Sequence, residues 1–119
     1  MEKKYIEKTN DFIDVVIYAR FSSLRQNETS IEAQVKECYK YCEAMHFRVI
    51  EIYEDDAKSA RTADRPSFQR LIKDIEDGRI NMVITKDLSR LSRNSFEANY
   101  YIEIYFLERN IRYISILDN

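Results

Sequence analysis

Tyr18-Ala19-Arg20-Phe21-Ser22-Ser23 places a hydroxyl two residues from a guanidinium, where an apolar run gives way to polar residues. In an extended strand, residues i and i+2 face the same side. Tyr18, Arg20 and Ser22 would then present a phenol, a cation and a hydroxyl together. A hydroxyl beside a permanently charged, planar cation suits chemistry on phosphate, whose oxygens accept the paired N–H groups of a guanidinium. Further arginines stand at Arg65, in Asp64-Arg65-Pro66, and at Arg90 and Arg93, in Lys86-Asp87-Leu88-Ser89-Arg90-Leu91-Ser92-Arg93-Asn94. Gly78 is the only glycine, which excludes a GxGxxG nucleotide turn and a P-loop. Phosphate must therefore be held by side chains. No evident cluster of metal-binding carboxylates or histidines accompanies the arginines. The chemistry they suggest is metal-free phosphoryl transfer, with guanidiniums stabilising charge on the phosphorus oxygens. Singly, each piece is weak: an Arg two residues from a Ser is common by chance, and Arg90-x-x-Arg93 also fits an exposed pair on a helical turn.

The elements that must position these residues alternate in period. Residues 1–12 form a charged leader without pattern, expected to be ordered only in part, and residues 13–119 form one domain. Val15-Val16-Ile17-Tyr18 has the unbroken β-branched character of a strand buried on both faces. Thr29 or Ser30 can cap a helix whose stripe is Ile31, Val35, Cys38, Cys42 and Met45. Phe47 to Tyr53 alternates loosely as a second strand, and the polar connection Glu54 to Asp64 is long enough to suggest a function. Pro66 suits the start of a helix carrying Phe68, Leu71, Ile72 and Ile75, which Gly78 ends. Met82 to Thr85 reads as a third strand. From about Ser95 to Arg109 runs a helix with more apolar residues than one stripe holds, which implies a second covered face. Ile111 to Leu117 reads as a fourth strand. This order predicts an α/β fold: a mostly parallel, four- or five-stranded sheet with flanking helices and right-handed crossovers. Sites in such sheets lie outside the carboxyl ends of the strands, so the loops after the first three strands, with Arg20, Arg65, Arg90 and Arg93, gather on one rim.

With 119 residues, 45% of them hydrophobic, the chain has the size and apolar content of one folded domain. It holds no apolar run near the roughly 18 residues of a membrane span and no signal-peptide core, so it is read as a soluble, cytoplasmic protein without membrane contact. Cys38, Cys42 and His46 are spaced four apart, but structural zinc takes four ligands and buried free cysteines are common core residues, so a core role is expected. The formal net charge of −2 argues weakly against a protein that merely coats nucleic acid. Between Lys58 and Arg93, however, nine basic residues face five acidic ones, so the middle of the chain is basic. Such a run is usually solvated surface, and it supports nucleic-acid binding only when joined to sharper motifs.

Five separated motifs, in order, resemble the catalytic domain of the serine recombinase family of resolvases, invertases and large serine integrases or transposases. They are Tyr18-Ala19-Arg20-Phe21-Ser22-Ser23, Ser30-Ile31-Glu32-Ala33-Gln34, Asp56-Ala57-Lys58-Ser59-Ala60, Asp64-Arg65-Pro66 and Lys86 to Asn94, within a match from about Val15 to Asp118. The Lys-Asp-Leu-Ser wording before Arg90 is most similar to the large serine recombinases of bacterial mobile elements. The resemblance implies a three-layer, resolvase-like domain that cuts and rejoins DNA without metal or nucleotide cofactor. Ser22 would attack the scissile phosphate to give a 5′-phosphoserine link. Arg20, Arg90 and Arg93 would hold the phosphate, and Arg65, Gln34 and Asp56 match further active-site positions. Gln34 would bond a phosphate oxygen, Asp56 would orient an arginine, and Tyr18 and Ser23 would form the wall of the site.

Two positions depart from the family pattern. Ser89 stands where many small members have Asp before the first arginine of the late motif, and Ala60 stands in place of the usual glycine after Ser59. The resemblance also implies homodimers and homotetramers of a full-length bacterial protein. The helix that builds them, and the region that recognises DNA, would follow Asn119. Two other classes compete with this reading. One is a non-catalytic assembly module, if the two departures disable the site. The other is a metal-free phosphoryl hydrolase using Ser22, against which stands the lack of an evident water-activating base.

Overall fold

The computed structural model describes residues 12–21, 29–56, 65–92 and 94–118. Residues 1–11, Ser22, Ser23, Arg93 and residues 57–64, Ala60 among them, lie outside the described residues. Strand β1 (Ile13–Arg20) is followed by helix α1 (Ile31–Ala44), β2 (Phe47–Asp55), α2 (Pro66–Glu76), β3 (Met82–Thr85) and the four-residue helix α3 (Leu88–Leu91). Then α4 (Ser95–Tyr100), a π-helical turn (Tyr101–Tyr105) and α5 (Phe106–Glu108) run on as one helix into β4 (Arg112–Ser115). The four strands are parallel, in the order β2-β1-β3-β4.

Side-chain alternation in β1 separates two cores. Val15 and Ile17 join Cys38, Cys42, Phe47, Met82 and Ile84 under α1. Val16 and Tyr18 join Phe68, Leu71, Ile75, Val83, Tyr105 and Phe106 under α2 and the last helix. Helices thus cover both faces, which is why β1 and β3 are apolar without interruption. Burial pushes the Cys38 thiol up to about 12 and the Cys42 thiol up to about 11, as befits side chains packed in a core.

The local signals behave as the chain predicts, with instructive exceptions. Ser30, rather than Thr29, caps α1, its hydroxyl accepting from the Ala33 N–H at 3.2 Å. Pro66 opens α2, and Gly78 follows its end at φ 77°, a left-handed conformation open to glycine. β2 extends two residues past Tyr53, and its pairing with β1 shifts between Val15 and Val16: Val15 pairs with Val49, but Val16 with Glu51. This bulge leaves Ile50 as the extra residue, half-exposed, and explains the loose alternation of the segment. Beyond it, Tyr18 lies beside Tyr53 and Arg20 beside Asp55. In the last helix the Phe106 N–H reaches back to the Tyr101 carbonyl. Tyr105 and Phe106 turn inward, while Phe96, Tyr100, Ile104 and Leu107 remain exposed.

Candidate active site

Because the strands are parallel, the ends of β1, β2 and β3 open on one rim. The chain crosses from β1 to β2 on one side and later builds β3 and β4 on the other. The switch point is therefore between β1 and β3, where ligands of open α/β sheets bind. Arg20 ends β1 at this point, and α3, with Arg90, follows β3.

Gln34 holds the end of β1 from below. Its Oε1 accepts from the Arg20 backbone N–H at 3.2 Å, and its Nε2 donates to the Arg20 carbonyl at 2.9 Å and the Thr29 carbonyl at 2.8 Å. Both amide protons are committed to backbone, and the side chain is 1% exposed. Gln34 is thus built in as a clamp joining the β1 terminus to the start of α1, rather than presented to a phosphate oxygen as the sequence suggests.

Three arginines meet at α3. Arg20 donates through Nε to the Arg90 carbonyl at 3.2 Å and through Nη2 to the Ser89 carbonyl. Arg65 donates through Nη2 to the Leu91 carbonyl. Arg90 returns a bond from Nη1 to the Arg20 carbonyl at 3.0 Å. The carbonyls at a helix C-terminus lack intrahelical partners and carry the negative end of the dipole. In so short a helix they become a row of acceptors for guanidiniums from the end of β1 and the start of α2. Arg20 and Arg90 are buried, and the Arg65 side chain is 15% exposed.

Arg65 is also held from its own side. It stands at φ 44°, a left-handed conformation costly for a residue with a Cβ. Its guanidinium lies 4.0 Å from the Phe68 ring centroid, its Nε donates to the Tyr18 oxygen at 3.3 Å, and Nη1 is 3.6 Å from the Glu97 carboxylate. The Tyr18 hydroxyl in turn donates to Asp55 Oδ2 at 2.7 Å. Asp55, 1% exposed, accepts as well from the Ser67 N–H at 2.9 Å and the Phe68 N–H at 3.0 Å. It thereby caps α2 from another strand, a task Arg65, at the N-cap position, leaves undone. Burial raises the Tyr18 pKa well above the ordinary phenol range, the Asp55 hydrogen bond adds to the shift, and Arg65 opposes it. Tyr18 is thus a protonated donor between Asp55 and Arg65.

Of the residues singled out in the sequence, Arg20, Arg65, Arg90, Gln34 and Tyr18 come together. Asp56 is exposed, and its buried neighbour Asp55 is joined to Arg65 through the Tyr18 hydroxyl. Ser22, Ser23 and Arg93 lie outside the described residues. Glu97 was not apparent from the motifs: it reaches Arg65 and accepts from the Ser92 hydroxyl. The capping pattern Asn94-x-x-Glu97 was the available signal, since Asn94 Oδ1 accepts from the N–H groups of Phe96 and Glu97.

Residues 15–119 match the family model for the resolvase N-terminal domain. The chain belongs to the resolvase family. Among solved structures, this resolvase domain is similar to the N-terminal catalytic domain of TP901-1 integrase, at 35% identity and a TM-score of 0.77, over 88% of this chain and 78% of that one. It is similar, too, to the C-terminal catalytic domain of ISC1926 TnpA, an IS607-like serine recombinase, at 32% identity and a TM-score of 0.71, over 87% and 70% of the two chains. A resolvase family site-specific recombinase from Streptococcus pneumoniae matches at 26% identity and a TM-score of 0.75, over 89% and 73%. No curated protein sequence matches the domain. The resolvase domain is thus a site-specific serine recombinase catalytic domain, of a family that acts on DNA. Among its described residues, no helix is long and apolar enough to cross a membrane.

Proposed function

We propose that this domain cuts and rejoins DNA through a covalent phosphoserine intermediate, with Ser22 as nucleophile. The Ser22 oxygen forms a bond to the scissile phosphorus as the bond from phosphorus to the 3′-oxygen breaks. The serine proton leaves to a base, and the 3′-oxygen gains one. Arg20, Arg65, Arg90 and Arg93 stabilise the charge on the non-bridging oxygens, as preorganised donors do where charge develops in a transition state. The bond energy stays in the phosphoserine ester, so a 3′-hydroxyl can reverse the step. The reading calls for no metal or nucleotide. The observation that supports it best is the meeting of Arg20, Arg65 and Arg90 on α3, at the end of the strand that Ser22 follows by two residues.

The exposed row Phe96, Tyr100, Ile104 and Leu107 supports a further part of the proposal, assembly of the bacterial protein into dimers and tetramers around its DNA. To test the chemistry, the full-length protein is incubated with a duplex carrying its recombination site, nicked beside the scissile phosphate to trap the intermediate. A protein–DNA adduct that survives denaturation is expected. Its absence would sink the phosphoserine mechanism, and an adduct that persists in Ser22→Ala would sink the nucleophile.

A further inference from the structure

Asp87 occupies the N-cap position of α3, with extended backbone at φ −149° and ψ 169°, yet its side chain makes no capping bond. An aspartate there ordinarily turns its carboxylate onto the N–H groups two or three residues ahead. Here other groups cover the helix start. Asp118, beyond β4, accepts from the Leu88 N–H at 2.9 Å, and the Asp87 carbonyl accepts from the Arg90 N–H at 3.1 Å. The Thr85 hydroxyl, donating to the same carbonyl at 3.0 Å, fixes the Asp87 backbone. The carboxylate points instead at two side chains of α3. Asp87 Oδ1 accepts from the Ser89 hydroxyl at 2.6 Å and lies 3.4 Å from Arg90 Nε. The Asp87 side chain is 22% exposed and that of Arg90 7%, so the ion pair is largely shielded from solvent.

A carboxylate beside a largely buried guanidinium supplies a countercharge that favours one orientation of its plane. Arg90 donates from Nη1 to the Arg20 carbonyl at 3.0 Å, and its buried Nε, which makes no hydrogen bond, has Asp87 Oδ1 as an ion-pair partner at 3.4 Å. We propose that Asp87 is a positioning residue of the recombinase: it aims the Arg90 guanidinium at the scissile phosphate, and the Ser89 hydroxyl holds the carboxylate in place for that task. The proposal rests on the reading that Arg90 stabilises the transferring phosphate. Asp87 itself touches no reacting atom.

The test uses the same nicked duplex with full-length variants, measuring adduct formation at saturating DNA and the proton exchange of the Arg90 Nε–H by NMR. Asp87→Asn keeps the shape and removes the charge. It is expected to slow adduct formation about tenfold to a hundredfold, the scale of a small misplacement of a catalytic group, and to speed exchange of the Nε proton. DNA affinity should stay within twofold. Asp87→Asn combined with Ser89→Asp returns a carboxylate to the place of the Ser89 hydroxyl, and recovery of both readouts is expected. A wild-type adduct rate in Asp87→Asn, or a double variant no better than the single one, would overturn the proposal. If Asp87→Asn melts below the assay temperature, Asp87→Glu replaces it. A wild-type rate there, with the carboxylate moved by one methylene, overturns the proposal, and a slowed rate at unchanged DNA affinity supports it. Arg90→Ala separates the two levels: a wild-type rate in that variant refutes the role of Arg90, whereas loss in Arg90→Ala without loss in Asp87→Asn refutes only the role of Asp87.

Discussion

Asp55→Ala is expected to destabilise the domain by about 2–4 kcal/mol, from a lost helix cap and a buried donor left unsatisfied. The structure supplies the terms. Asp55 is 1% exposed and accepts from the Tyr18 hydroxyl at 2.7 Å and from the Ser67 and Phe68 N–H groups at 2.9 and 3.0 Å. Alanine leaves all three donors without that acceptor. An uncapped helix start costs about 0.5–2 kcal/mol, and a buried donor left unsatisfied about 1–3 kcal/mol. The terms overlap because Ser67 and Phe68 belong to the same helix start, so their simple sum is an upper bound. For a domain of this length the loss lowers Tm by roughly 8–16 °C. Urea unfolding followed by circular dichroism measures it. Asp56→Ala, at the exposed neighbouring residue, should cost at most about 1 kcal/mol. A loss below about 1 kcal/mol for Asp55→Ala at unchanged m-value, or equal losses at the two positions, would refute the network described here.

Two further outcomes follow from the same site and core. Arg65→Lys should slow adduct formation about tenfold or more, because an ammonium cannot match the fork that reaches Tyr18 and the Leu91 carbonyl together; unchanged single-turnover kinetics would count against the assignment. The Cys38 thiol, raised by burial from 9.0 to about 12, contributes stability that is complete below about pH 9 and is lost as the pH rises toward 12, since the unfolded chain releases its proton first. The limiting slope is about 1.4 kcal/mol per pH unit. Urea midpoints at pH 8 and pH 10 should therefore fall less in Cys38→Ala than in the parent, and an identical fall would remove the thiol as a cause.

The elements were readable where local physics decides them. Pro66 and Gly78 bracket α2 through their restricted or permissive backbones, and Phe68, Leu71 and Ile75 repeat on the face that packs on the sheet. Val15 to Tyr18 reads as a buried strand because both of its faces are covered. The long helix after Asn94 was also evident, but not its π-helical turn, which decides which of its aromatic residues face inward.

The placement of Asp55 shows the opposite case. Asp55 and Asp56 are adjacent and chemically identical, and motif position favoured Asp56. The bulge in β2 sets the register that lays Asp55 beside Arg20, and the start of α2 then receives its carboxylate. Similarly, Gln34 offers an amide that suits phosphate, but the Arg20 and Thr29 carbonyls take both of its protons. Such choices depend on contacts between residues far apart in the chain, to which hydrophobic period and spacing are blind.

By itself, the sequence determined the residue chemistry of this recombinase domain: a serine and arginines spread over three loops, on an α/β framework that brings strand ends to one rim, and motifs specific enough to resemble its family. Only the tertiary structure decided how the arginines are held. The carbonyls of Ser89, Arg90 and Leu91 become their anchor because a helix as short as α3 leaves those groups without helical partners. The parallel sheet places that helix end beside the Arg20 side chain, about 70 residues away in sequence.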